Sequence, residues 1–280
     1  MSRKSGNNNV VTGATRNVRT DIVKEKKSRP KPTRLSEEEK EMKHGSGKYL
    51  NYKIDFKAKN ENQEKYYNAI LEKQIVVGTG PAGTGKSWCA AAALLKLLRD
   101  GLRDNKNKYE SILIIAPTVE AGENSIGFLT GGKDQKIFEY LISDFSNIED
   151  ILEESGNENP QTILEKLLEE GYIKGDCINF QRGRNFKKKL ILLTEAENIS
   201  VRDMWLILSR ITPTAKIIIN GDNSQQDTRR EFKNGAMNGM DYMIKKFEGK
   251  TDKIEFVHFN KKDIERDPLI QEMMGLWFDE

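Results

Sequence analysis

Gly80-Pro81-Ala82-Gly83-Thr84-Gly85-Lys86-Ser87 has the spacing G-x-x-x-x-G-K-[ST], the pattern of a loop that wraps phosphates. Its glycines let backbone N–H groups turn inward toward phosphate oxygens. Lys86 is placed to reach the β- and γ-phosphates, and the Ser87 hydroxyl is placed to ligate Mg2+. The helix that follows adds its positive N-terminal end. The pattern carries this chemistry only between a strand and a helix. Here the apolar run Ile75-Val76-Val77 precedes it, and the helix-forming run from Trp88 to Leu98 follows. The residues describe a nucleoside-triphosphate site.

Two further stretches carry suitable groups at the ends of apolar runs. Leu190-Ile191-Leu192-Leu193 leads into Thr194-Glu195-Ala196-Glu197-Asn198, and Ile217-Ile218-Ile219 leads into Gly221-Asp222, with Gln225 shortly after. In open parallel sheets ligands bind beyond the carboxyl ends of the strands, so these residues are expected beside the triphosphate. A carboxylate such as Glu195 can orient an attacking water, and Gln225 is placed to sense a γ-phosphate.

The elements that must position these groups are legible from the hydrophobic pattern. Strands are expected at 74–77, 111–116, 190–193, 217–219 and 253–259, with shorter candidates at Tyr172-Ile173 and Ile178-Asn179-Phe180. Continuous apolar runs such as Ser111-Ile112-Leu113-Ile114-Ile115-Ala116 mark strands covered on both faces, hence parallel and central. Helices are expected at 62–71, from the phosphate loop to a C-terminal stop at Gly101, at 135–143, 148–154, 162–170, 201–211 after a Ser200 cap, and at 268–278. Strands alternating with helices give an α/β fold, a doubly wound and mostly parallel sheet of about five strands.

Composition divides the chain in two. The net charge is +3, yet residues 1–34 hold ten Lys/Arg against two acids, a surplus of eight, leaving −5 for the remainder. Residues 1–48 lack a periodic apolar pattern and read as a disordered basic tail, and 49–280 as a single domain. A basic arm on a mildly acidic body suits nucleic acid or an acidic protein surface as a partner. Cys89 and Cys177 offer neither metal spacing nor a disulfide framework. No apolar stretch has the length of a membrane span, and a signal-peptide core is missing, so a soluble protein of a reducing cytoplasm is expected.

Taken together these motifs resemble the PhoH family of P-loop ATPases, whose fold is similar to the RecA-like core of superfamily 1 helicases. The resemblance runs from about Lys59 to Met274. Asn62-Gln63 through Tyr67 looks like the family's adenine-side glutamine segment, which makes Gln63 an adenine contact. Residues 80–87 match its phosphate loop, with Ser87 in place of Thr. Val119-Glu120-Ala121-Gly122-Glu123 and Gly127-Phe128-Leu129 match a second motif, and Arg182-Gly183-Arg184 a basic loop. Gly221-Asp222 with Gln225 and Asp227 matches a third, and Asp263 with Arg266 a C-terminal segment.

The resemblance implies ATP and Mg2+, hydrolysis, ring-like homo-oligomers (hexamers), and work on RNA or single-stranded nucleic acid. It also implies a history of phosphate-starvation labels shared with many phage-encoded members. Lys86 and Glu195 are then catalytic, Gln225 a γ-phosphate sensor, and Arg266 the foremost arginine finger, ahead of Arg210 and Arg184. The metal would be held by Ser87, Thr194 and Glu195. Arg182, Arg184 and Lys187–Lys189 around Phe186 suit a single strand, by phosphate contact and base stacking.

Two departures qualify the match. The family pattern Asp-Glu-Ala-Gln-Asn is here Thr194-Glu195-Ala196-Glu197-Asn198, and Ala116 stands where an Arg is usual before Pro117. Thr194 keeps a hydroxyl but loses the charge that normally holds Mg2+ through water. Slow turnover with retained nucleotide binding is expected, unless Glu197 compensates. A scaffold that binds ATP without hydrolysis is the alternative reading, and a small-molecule kinase a more distant one.

Overall fold

The structure, a computed structural model, describes residues 46–103, 108–117, 133–181, 183, 185–222 and 236–265. The basic tail up to residue 45, the motif at 119–129, Arg182, Arg184, Gln225, Asp227, Arg266 and the closing helix at 268–278 lie outside the described residues. A short 3-10 helix spans Ser46–Asn51, so regular structure begins ahead of the expected boundary at Tyr49. The Tyr52 hydroxyl then docks this segment on the carbonyl of Leu95 at 2.8 Å.

Among the described residues six parallel strands form the sheet: β1 Ile75–Thr79, β2 Ser111–Ala116, β3 Ile173–Cys177, β4 Lys189–Leu193, β5 Lys216–Gly221 and β6 Ile254–His258. Their spatial order is β3-β2-β4-β5-β1-β6. The four central strands are the apolar runs of the sequence, buried on both faces because helices cover both sides. The additional strand is β3, where Ile173-Lys174-Gly175-Asp176-Cys177 pairs with β2 at an edge. It begins at Ile173, within the first of the two short candidates read from the sequence, and the second is a 3-10 helix, Ile178–Gln181, instead. An edge strand needs few apolar side chains, which is why its pattern was weak.

The helices are α1 Glu61–Glu72, α2 Lys86–Arg103, α3 Lys133–Tyr140, α4 Ile142–Glu154, α5 Pro160–Glu169, α6 Val201–Leu208 and α7 Gly239–Phe247. The α1 helix opens on Asn60, whose side chain accepts from Gln63 N, and α6 on Ser200, whose side chain accepts from Asp203 N. The expected stop at Gly101 fails, since α2 continues to Arg103. Gly101 is needed for close approach rather than for a cap: a Cβ there would lie 3.3 Å from Tyr109 N.

Strand alternation splits the interior in two. On one face Val76, Ile112, Ile114, Leu190, Leu192 and Ile218 meet α1, α2 and α4. On the other, Val77, Ile115, Ile191, Leu193, Ile217 and Ile219 meet α6 and α7. The poly-alanine stretch Ala90–Ala93 is buried, and small side chains let α2 lie close on the sheet. All strands point the same way, so the ends of β1, β4 and β5 open on one edge. There β5 separates β1 from β4, placing their ends two strand spacings, about 10 Å, apart.

Candidate nucleotide-binding site

The phosphate loop leaves β1 at Gly80, whose N–H donates to Gly221 O at the end of β5 at 3.3 Å. Gly80, Gly83 and Gly85 have φ of 139°, 82° and 81°, conformations that side chains rarely adopt. At Gly80 a Cβ would also lie 2.3 Å from the carbonyl oxygen of Phe259. This backbone therefore requires glycine, and it bends into an open cradle at the N-terminus of α2. Within that cradle the Lys86 ammonium donates to the carbonyls of Gly80 and Pro81 at 2.6 and 2.8 Å. Burial pulls it down to about 8, against the opposing effect of the Asp222 and Glu197 carboxylates.

Two segments, the start of α1 and the stretch after β6, brace the loop on this side. The buried Gln63 amide donates to Thr84 O at 3.1 Å, and its oxygen accepts from Lys59 N at 2.9 Å. Glu265 N donates to Gly83 O at 2.9 Å. Asp263 accepts from Asn62 and from Asn260 N, both at 2.8 Å. The segment after β6 is thus tied to both the loop and the start of α1, and Arg266, just beyond it, lies outside the described residues.

On the β5 side a relay of acceptors crosses the strand ends. Glu197 accepts the Asp222 N–H, and the Asp222 side chain accepts the Ala82 N–H, each at 2.9 Å. Burial pushes Glu197 up to about 7, although the Asp222 N–H pulls the other way. Glu197 and Asp222 are the carboxylates whose charge reaches Lys86.

On the β2 side sits a second carboxylate pair. Glu195 is exposed between buried neighbours and has a left-handed backbone, φ 48° and ψ 46°, a conformation uncommon for a residue with a long side chain. The Tyr140 hydroxyl donates to its Oε2 at 2.8 Å. Thr194 lies on the face of Leu190 and Leu192, the face on which α4 packs with Asp144 in its first turn. Asp144 is only 6% exposed. Burial first, then the Glu195 charge, push it up to about 7.

The structure therefore brings together Gly80–Ser87, Thr194, Glu195 and Gln63 at one edge. The described part of the basic cluster, Lys187 to Lys189, lies at the other. Phe186, just before β4, pairs with Ile211 and its N–H donates to Arg210 O, both at the N-terminal edge of the sheet. Arg210 is thus far from its own chain's phosphate loop. Phe186 is buried in the core, so the expected stacking role is corrected: it has no face for a base. Lys188 pairs with Glu110 at 2.9 Å and Lys189 donates to Ser111, which fasten β4 to β2, whereas Lys187 is exposed.

Tyr140 and Asp144 escaped the sequence reading. The available signal was an acid on the buried stripe Leu141, Phe145, Ile148 and Ile151 of the helical pattern.

The donor set suits Mg2+. Ser87, Thr194, Glu195 and Asp144 offer oxygen alone, and this ion takes one or two carboxylates plus phosphates rather than a protein cage. Among the described residues no group of three or more His, Cys, Asp or Glu forms a cation site by itself, and no helix is long and apolar enough to cross a membrane.

Residues 55–277 match the family model described as PhoH-like protein. The chain is 30% identical to a PhoH-like protein of Bacillus subtilis over 85% of this chain and 66% of that protein. It is 29% identical to a PhoH-like protein of Synechocystis over 78% and 61%, and 30% identical to Protein PhoH of Escherichia coli over 76% and 56%. The match thus spans roughly three-fifths of these relatives' own length. With its phosphate loop, parallel sheet and strand-end carboxylates in place, the chain belongs to the PhoH family.

Proposed function

We propose that the protein binds ATP with Mg2+ at the edge formed by β1, β4 and β5 and hydrolyses it slowly, with turnover coupled to RNA or single-stranded nucleic acid. The observation that carries this reading is Glu195. Its carboxylate projects from a left-handed backbone at the end of β4 and is held by Tyr140, and that strand end lies two strand spacings from the end of β1. That gap accommodates a γ-phosphate and an attacking water.

In this mechanism the loop's backbone N–H groups bind the phosphates, and Lys86 leaves the Gly80 and Pro81 carbonyls to meet the β- and γ-oxygens. Mg2+, when bound, would screen phosphate charge, with Ser87, Thr194 and Glu195 as its protein-side oxygens. Glu195 orients the water and takes its proton. Gln63 fixes the loop at Thr84 O, which couples its proposed adenine side to the phosphates. Gln225 and Arg266 act as γ-phosphate sensor and arginine finger. A ring of identical chains would let one protomer's arginine reach the next one's phosphates, and Arg182, Arg184 and Lys187 are the proposed contacts to a strand.

A second reading, a nucleotide-controlled scaffold that does not hydrolyse ATP, is favoured by Thr194, which places a neutral hydroxyl where a carboxylate is expected. The two are separated by phosphate release from Mg2+-ATP, measured with and without single-stranded RNA, for the wild type and Glu195→Gln. Hydrolysis predicts turnover that rises with RNA and is lost in the variant. Turnover equal in both proteins would remove Glu195 from the chemistry, and binding without turnover would leave the scaffold.

A further inference from the structure

We propose that the outer face of α6 and α7 docks a single-stranded nucleic acid, with Trp205 and Tyr242 as base-stacking groups and Arg202, Lys245 and Lys246 as phosphate contacts. This inference rests on the nucleic-acid reading above and deepens it by naming the surface.

The surface follows from how the two helices are built. Helix α6 turns Met204 and Ile207 to the sheet, and α7 turns Met240 and Met243. Gly239 lets them pack closely, since a Cβ there would lie 2.6 Å from Met204 Cβ. Trp205 is left on the outer side of α6 and is 66% exposed, more than any other large apolar side chain among the described residues.

A lone exposed apolar residue is ordinary; Trp205 is set apart by its neighbours. Arg202, three residues earlier, falls on the same side of α6. Helix α7, which packs against α6, presents an exposed Tyr242 with the Lys246 ammonium 5.4 Å from its ring centroid. Lys245 is exposed beside it.

Charge selects the occupant. Arg202, Lys245 and Lys246 are exposed, and among the described residues none of them forms an ion pair. The acids of the same helices are drawn into their N-termini: Asp203 accepts the Ser200 hydroxyl at 2.9 Å, and Asp241 accepts the Asn238 amide at 3.0 Å. Lysine is depleted where one protein covers another. Aromatic rings set among Lys and Arg instead suit a strand, whose bases stack while its phosphates are neutralised. A duplex keeps its base faces covered, so the strand must be single.

The face is also continuous with the basic segment before β4. The Phe186 N–H donates to Arg210 O at 2.9 Å, which sets the exposed Lys187 near the C-terminal end of α6, about two helical turns from Trp205. Phe186 is buried, and Trp205 supplies the ring that Phe186 cannot.

The test uses the full chain with a fluorescent uridine RNA and its thymidine DNA counterpart, read by anisotropy across a salt series. Trp205→Ala should weaken strand binding about 5- to 150-fold with the salt slope unchanged, and Trp205→Phe should keep most of the affinity. Replacing Arg202, Lys245 and Lys246 together by Ala should flatten log K against log salt by about 2. Melting temperature and binding of a fluorescent ATP analogue should match wild type in every variant, because these side chains are exposed. Wild-type strand affinity in both Trp205→Ala and the triple variant would overturn the proposal and leave the nucleic-acid reading standing. A changed oligomeric mass of Trp205→Ala in sedimentation velocity, with strand affinity intact, would also overturn it and make the face an interface between protein chains. If wild type binds neither strand, the nucleic-acid reading fails and this inference with it.

Discussion

Glu197 accepts the backbone N–H of Asp222 at 2.9 Å, and through Asp222 it reaches the Ala82 N–H of the phosphate loop at the same distance. The residue in which this chain departs from the family's amide is therefore built into the loop's support. A glutamine oxygen could accept the same N–H without a buried charge. Glu197 is raised from 4.5 to about 7 by burial, so between these values the folded state binds more protons than the unfolded state. Stability then falls as pH rises through that window. Glu197→Gln should raise the melting temperature at pH 8 by about 2–4 °C for each kcal/mol recovered and flatten its pH dependence. Asp144, raised from 3.8 to about 7, contributes in the same direction, so the flattening should be complete only with Asp144→Asn as well. Parallel melting curves for wild type and the double variant from pH 5 to 8 would contradict this.

Tyr140 fixes Glu195 by a single hydrogen bond of 2.8 Å. Tyr140→Phe keeps the ring and removes the donor, leaving an exposed carboxylate free to rotate. Loss of orientation at a reacting group costs about 10–100-fold in rate. The variant should therefore lower kcat by that factor with KM for ATP unchanged, as steady-state phosphate release would reveal.

The loop braces should register as stability. Gln63→Ala strands the buried Thr84 O and removes the acceptor of the part-buried Lys59 N, an expected loss of about 1–3 kcal/mol, chiefly for the unsatisfied Thr84 carbonyl. Gly80→Ala meets both a φ of 139° and the Phe259 carbonyl at 2.3 Å, costing at least about 1–3 kcal/mol of strain. Denaturant titration of each variant measures these losses, and Gly80→Ala should also lose ATP binding.

Lys187 is exposed at the edge opposite the phosphate loop. Contact between this residue and an RNA phosphate would make Lys187→Ala flatten the salt dependence of RNA binding, by about 0.7 in log K against log salt. ATP affinity should not change. An unaltered slope would assign Lys187 to solvent.

The central strands were legible because Ile112–Ile115, Leu190–Leu193 and Ile217–Ile219 are apolar without interruption, and burial on both faces allows little else. Those runs also located Thr194, Glu195, Gly221 and Asp222 at their ends. The edge strand β3 was blurred by Lys174, Gly175 and Asp176, which an edge tolerates. Phe186 read as an aromatic among cations, whereas its packing against the α6 side of the sheet is a tertiary fact. Tyr140 is far in sequence from Glu195, which it touches, and Asp144 far from Glu195, whose charge acts on it; only the docking of α3 and α4 brings them near the end of β4. Periodicity shows which residue breaks an apolar stripe, but not what the break faces.

The most direct test of the account is equilibrium binding of a fluorescent ATP analogue to wild type and Lys86→Ala, with unlabelled ATP as competitor. Saturable binding by wild type, displaced by ATP and lost in Lys86→Ala, is the predicted result. Equal binding by both proteins, or none by either, would contradict a nucleotide site built on the Gly80–Ser87 loop.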